Sequence, residues 1–215
     1  MGKIRKGILG GFSGKVGTVV GASWRGIAYM RSLPLKVRNP RTQPQLEQRS
    51  KFALTLNFLK PMTGLLRVGW KMYSHRQSPF NAAMSYAIAN AITGSYPNYA
   101  VDPGKVMISR GALSPAVNAT ATAASSGGGI YFDWDDNSGS STAKVTDRTL
   151  VAVVNPAKSE AVFDTAGGTR TDASQSVNAP SGWVGDTVHA YMGFVSDDGR
   201  EVANSVYLGA VTVTA

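Results

Sequence analysis

Hydrophobic and polar positions along this chain change their period twice. In the first forty residues short β-prone pieces, Val16 to Val20 and Trp24 to Met30, alternate with a ladder of glycines at Gly7, Gly10, Gly11, Gly14, Gly17, Gly21 and Gly26. Glycine at this density weakens an isolated strand, yet it permits sharp bends and close backbone approach. The pattern predicts a Gly-rich β-arm that packs closely, against a neighbouring subunit if one is present. A basic linker, Pro34 to Pro44, carries Lys36, Arg38 and Arg41.

A helical period follows. Pro44 suits a first turn opening near Thr42, with Glu47 near the positive end of the helix dipole. Leu46, Phe52, Ala53, Leu56 and Leu59 share one predicted apolar face. Pro61 interrupts, and Met62 to Trp70 predicts a second, short helix. Ser78-Pro79 reads as cap and first-turn proline of a third helix ending near Gly94, with Phe80, Ala83, Met84, Ala87, Ile88 and Ile92 as its stripe.

From residue 105 the period becomes two. Val106 to Ile108 predicts a short strand, and Ile130, Phe132 and Trp134 alternate with Tyr131, Asp133 and Asp135. Further strands are expected at Thr149 to Val154, Ala161 to Asp164, Thr187 to Val195 and Val202 to Val213. Asp197-Asp198-Gly199 is the turn before the last of these. Strands so spaced, with Trp134 on an early one and Tyr191 on the penultimate one, suggest an immunoglobulin or fibronectin type III sandwich. The absence of cysteine favours the fibronectin-like version. The expected class is therefore α+β, divided into a basic arm with helices (1–110) and a sandwich (111–215).

Charge sharpens this division. Residues 1–110 hold 17 Lys/Arg against Glu47 and Asp102, a formal +15, whereas residues 111–215 hold five against 11 Asp/Glu, a formal −6. A basic half joined to an acidic half can attract copies of itself head to tail, and the basic half alone can attract nucleic acid. Without cysteine, disulfides, zinc–thiolate sites and thiol nucleophiles are excluded. The start Met1-Gly2-Lys3-Ile4-Arg5-Lys6 leads into a Gly-rich stretch broken by Lys15, so neither a signal peptide nor a membrane span is expected. Lys6 stands where a myristoylation signal wants Ser or Thr. Synthesis and folding in the cytoplasm are expected, with a virion or extracellular assembly as the place of action.

The strings GILGGFSGKVGTVVGASWRGIAYMRSLP and TQPQLEQRSKFAL are distinctive, as are FNAAMSYAIANAITGSYPNY, VMISRGAL and FDWDDNSG. Together they resemble an uncharacterised domain-of-unknown-function family associated with Bacteroidota genomes, over nearly the whole chain. The resemblance implies a small protein without a signal peptide that ends in a β-rich domain, and it brings no catalytic or ligand residues with it.

Candidate chemistry is sparse. Gly14-Lys15-Val16 lacks the Ser/Thr and the preceding apolar strand of a P-loop. Asp133-x-Asp135-x-Asn137 matches the opening of a calcium loop, but Ser138 stands in the glycine position and Lys144 replaces the terminal acid, so a solvated strand end explains it better. Two histidines, His75 and His189, are too few for a transition-metal site. His189 and Asp186 could join a serine in a triad, but no nucleophile-elbow pattern supports one. No cofactor, metal site or enzymatic activity is expected. Arg25, Arg31, Arg38, Arg41, Arg49, Lys51, Arg67, Lys71 and Arg76 are interleaved with Trp24, Tyr29, Trp70 and Tyr73, the mixture that single-stranded nucleic-acid binding uses. The expected function is a non-enzymatic structural subunit, a phage-type virion or filament component. In it Arg25, Arg31, Arg38 and Arg41 of one copy would face Asp133, Asp135 and Asp136 of the next. Non-sequence-specific nucleic-acid binding is the alternative, and a glycan- or protein-binding module, using the loops around Ser138 or Asp197, is a third reading.

Overall fold

The computed structural model describes residues 2–4, 7, 10–24, 26–35, 41–75 and 77–215. The chain forms two compact units, Met1–Thr42 and Gln43–Ala215.

The first unit is an antiparallel meander of β1 (Lys3–Ile4), β2 (Phe12–Val16), β3 (Val19–Trp24) and β4 (Ile27–Ser32), paired in that order. The β-prone character is as expected, but the phase is not. The stretches Val16–Val20 and Trp24–Met30 each straddle a turn, because Gly17 (φ +57°) and Gly26 (φ +87°) take left-handed backbone that reverses the chain at little steric cost.

The second unit opens with α1 (Gln43–Leu59), α2 (Thr63–Gly69) and α3 (Pro79–Asn90), then a hairpin of β5 (Ile92–Ser95) and β6 (Asn98–Val101). Ser78 caps α3 as expected, its hydroxyl accepting from the Asn81 N–H at 3.2 Å. The helix stops at Asn90, earlier than Gly94, because residues 92–95 pair with the hairpin. Helix α1 turns only part of the expected face inward: Leu59 is buried and Leu56 packs against the core, while Phe52 and Ala53 are exposed and Thr55 is buried. Its apolar residues are spread around the cylinder, so tertiary neighbours select the inner face. Tyr99 on β6 is one of them, with the Lys51 ammonium 4.8 Å from its ring centre.

Seven strands complete the unit: β7 (Val117–Ala123), β8 (Gly129–Asp135), β9 (Arg148–Asn155), β10 (Glu160–Asp164), β11 (Ser174–Asn178), β12 (Thr187–Val195) and β13 (Val206–Thr212). They form a four-stranded sheet, β10-β9-β12-β13, and a three-stranded sheet, β11-β8-β7. This is the expected fibronectin-like sandwich. Ile130, Phe132 and Trp134 meet Val151, Val153, Ala190, Met192 and Phe194 between the sheets. The other face of the larger sheet is also covered. Leu150, Ala152, Val154 and Tyr191 pack with Leu59, Met62, Leu65, Leu66 and Trp70 from the helical segment.

Strands β9 and β12 are thus buried on both faces, and the unit has three layers. For that reason the chain does not divide near residue 110, where its composition changes. The segment 106–108 is not a strand. Val106 and Ile108 are buried and Met107 is half-buried, and the backbone staples the layers together. The Trp70 indole N–H donates to the Met107 carbonyl at 3.2 Å, the Arg110 N–H to Gly69 at 2.9 Å, and the Ile108 N–H to the Ser205 hydroxyl at 2.9 Å. The Ser205 backbone N–H donates to the Ser109 carbonyl at 3.0 Å rather than to a sheet strand, and the last strand begins at Val206. Val202 and Ala203 make only isolated bridges, to Val195 and Leu113. No helix among the described residues is long and apolar enough to cross a membrane.

Candidate functional site

Pairing register sorts the first unit's side chains onto two faces, because directly opposed residues of an antiparallel pair point the same way. Trp24 opposes Ile27, Ala22 opposes Tyr29, Val20 opposes both Arg31 and Lys15, and Ser13 opposes Lys3. One face therefore carries two aromatic rings, three cations and Ile27 around a floor of Ser13, Val20 and Ala22. On the other face lie Ile4, Phe12, Val16, Val19, Ala28 and Met30, with Gly14 and Gly21 among them. Gly21 lies beneath Phe12: a Cβ there would stand 2.6 Å from the ring and 2.2 Å from the Phe12 carbonyl oxygen.

Both faces carry exposed side chains. All six residues of β4 are exposed, with Met30 at 70%, Ile27 at 66% and Trp24 at 61%. Four short strands cannot bury their own apolar groups, and clustered exposed apolar side chains are a feature of contact surfaces.

The two units also divide the charge differently from the halves of the sequence. Residues 1–42 hold nine Lys/Arg and no Asp/Glu, equal to the whole net charge of +9. Residues 43–110 (+6) and 111–215 (−6) fold into one unit whose formal charges cancel. The net positive charge of the chain therefore belongs to residues 1–42.

Of the arginines expected at the contact, Arg31 projects from the aromatic face of the sheet, and Arg41 (φ +48°) is exposed just before α1. Arg25 and Arg38 lie outside the described residues. Asp133 and Asp135 stand on the outward face of β8, both exposed, beside Tyr131. Asp135 accepts from the Asn118 side-chain amide at 2.6 Å. Asp136 accepts from the Ser138 N–H at 2.9 Å, and hydrogen bonds from Ser138 hold its carboxyl below the usual range, with Arg170 adding a smaller pull.

The loop that opens like a calcium site has a cation of its own. The Arg170 guanidinium donates to the Asn137 amide oxygen at 2.6 Å, to the Ser114 carbonyl at 3.0 Å, and to Asp147 Oδ2 from Nη2 at 3.1 Å and Nε at 3.2 Å. It lies 3.7 Å from the centre of the Phe194 ring. Both charged side chains are fully enclosed, and burial lowers the arginine's proton affinity while Asp147 opposes that shift. Asn137 is thereby used by a guanidinium, and among the described residues no group of three or more acidic or imidazole side chains could hold a metal. Arg170 and Asp147 escaped the sequence reading. One local signal was present: Thr169-x-x-Asp172 is a capping box that places Arg170 in the first turn of a short helix.

The histidine arrangement also resolves into other contacts. His189 Nδ1 lies 2.8 Å from the Tyr207 hydroxyl, and burial lowers the imidazole's pKa. Asp186 instead takes Lys158 at 2.8 Å and the Asn155 amide at 2.7 Å, and these bonds lower its pKa. The hydrogen bonds of His189 and Asp186 thus go to different partners. His189 also lines a cavity of about 450 Å³ with Phe58, Tyr99 and Asn155. Its own described hydrogen-bond partner is a phenol, which supplies no activated nucleophile at neutral pH.

Among solved structures, the fibronectin type III domain of human collagen alpha-1(XX) chain aligns with 48% of this chain and 87% of its own, at 7% identity and a TM-score of 0.35. No curated protein gives a significant match. A family model matches residues 11–209, nearly the full length, and the chain belongs to that family, the family of unknown function DUF6266.

Proposed function

We propose that this protein is a non-enzymatic structural subunit that assembles with copies of itself, as a phage-type virion or filament component. The observation that carries this reading is the apolar face of the small sheet, where Ile4, Val16, Val19 and Met30 are all exposed. A second copy is the occupant favoured by charge. The sheet has no acidic residue, and all thirteen Asp/Glu of the chain lie in residues 43–215, eleven of them in 111–215. Approach of the sheet to the acidic sandwich of another copy is therefore electrostatically favourable, and burial of the apolar face supplies the holding energy. Such a contact joins unlike surfaces, so it closes into rings or continues as filaments. Arg31 and Arg41 facing Asp133, Asp135 and Asp136 is the electrostatic part of the proposal.

Negative-stain microscopy and light scattering of nuclease-treated protein test it, at low and high salt. Met30→Asp should abolish regular particles without changing the melting transition of the second unit, since Met30 is 70% exposed and lies in the other unit. Arg31→Glu with Arg41→Glu should slow assembly and remove much of its salt dependence. Unchanged particles in the Met30 variant would refute the docking face.

A further inference from the structure

The two aromatic rings of the small sheet take no part in that assembly contact, which draws on their face only through Arg31. We infer that this face, built by Lys3, Lys15, Trp24, Tyr29 and Arg31, binds single-stranded nucleic acid without sequence preference. Three features support the choice of ligand.

Trp24 and Tyr29 are diagonal neighbours on paired strands, a separation of roughly 7–8 Å. Two exposed rings at that spacing on a four-stranded sheet can each take a base that has left its stack. Between the rings and the far strands the floor is Ala22, Val20 and Ser13, which are small enough for bases to lie flat. The cations stand on both sides of that floor, Lys3 and Lys15 on β1 and β2, and Arg31 on β4, so a phosphate backbone can run along either margin. Finally, no carboxylate occurs anywhere in residues 1–42 to repel phosphate.

A duplex fits less well, because its bases are stacked inside and its rigid backbone cannot bring them to the rings. An acidic protein segment would satisfy the cations but offers no base to stack on the rings. The rings and the apolar docking residues lie on opposite faces and the two activities share only Arg31, so variants at Tyr29 and at Met30 separate them.

The test uses full-length, nuclease-treated protein and fluorescence anisotropy with labelled dT and rU 20-mers. Heparin, polyglutamate and a 20-base-pair duplex serve as comparison polyanions. Both single strands should bind. Three seated phosphates would give a log–log salt slope of about −2, at roughly −0.7 per phosphate. Tyr29→Ala and Trp24→Ala should each weaken binding by roughly five- to a hundredfold, the range that loss of one stacked base produces. Tyr29→Phe should retain it, and Met30→Asp should retain it while losing particles. Binding untouched by both alanine variants would overturn the inference, as would equal affinity for heparin or the duplex, or no binding of either single strand at 50 mM salt. The loss of binding in Tyr29→Ala with particles intact would uphold this face while leaving the assembly contact standing.

Discussion

Replacing Asp147 by Leu should destabilise the second unit severely, and replacing Arg170 by Met in the same chain should restore most of the loss. Among the described residues the carboxylate is the one acidic group hydrogen-bonded to an arginine enclosed on all sides, and it takes two of the four hydrogen bonds described for the guanidinium. Without it a cation stays buried beside Phe194, and the Lys144 N–H, which donates to Asp147 at 2.8 Å, also loses its acceptor. Breaking a buried pair from one side costs about 3–5 kcal/mol, whereas exchanging both partners for apolar groups is often neutral or stabilising. With a urea slope of about 2 kcal/mol per molar, the single variant's midpoint should fall by roughly 1.5–2.5 M. The double variant should return to within about 0.5 M of the parent. Urea titration followed by the fluorescence of Trp134 and Trp183, which lie in that core, reads the unit directly. Asp147→Leu within about 1 kcal/mol of the parent would refute the argument. So would a double variant as unstable as the single one.

Two further outcomes concern the layers and their titration. Gly69→Ala places a Cβ 2.3 Å from the Ile108 carbonyl and 2.8 Å from Ser109, where backbone must move. It should cost about 1–3 kcal/mol in urea titration and speed amide exchange at Arg110, whose N–H bonds to Gly69. His189 is held below its ordinary pKa near 6.5 by burial, so the native state binds fewer protons than the unfolded chain just below that pH. Its contribution is complete above pH 6.5 and is lost as the pH falls toward the depressed native value. Urea midpoints should therefore drop between pH 7.5 and 5, and His189→Phe should flatten that drop. An equal drop in the variant would assign it to other groups.

Much of the second unit was legible because its signals are local. The alternation of Ile130, Phe132 and Trp134 needs only the two-residue period of a strand, and Ser78-Pro79 needs only the geometry of a first turn. The edge strands β7 and β11 were not legible. VNATATA and SQSVN contain few large apolar residues, and they become strands by pairing with β8 rather than by their own pattern. In the first unit the glycines signalled bends, but a bend within Val16–Val20 cannot be told from a strand until Gly17 takes its left-handed backbone.

The order of residues alone determined the β-helical-β sequence of elements, the lack of thiol chemistry and a strong excess of positive charge near the start. Tertiary structure decided where those properties act. Packing the helices on β9 and β12 joined segments of opposite charge into one neutral unit, because a sheet with two apolar faces must cover both. Strand register then divided the remaining basic sheet into an apolar face and an aromatic, cationic one. Side-chain direction alternates at every residue, so only the pairing of distant residues could assign those groups to their two surfaces.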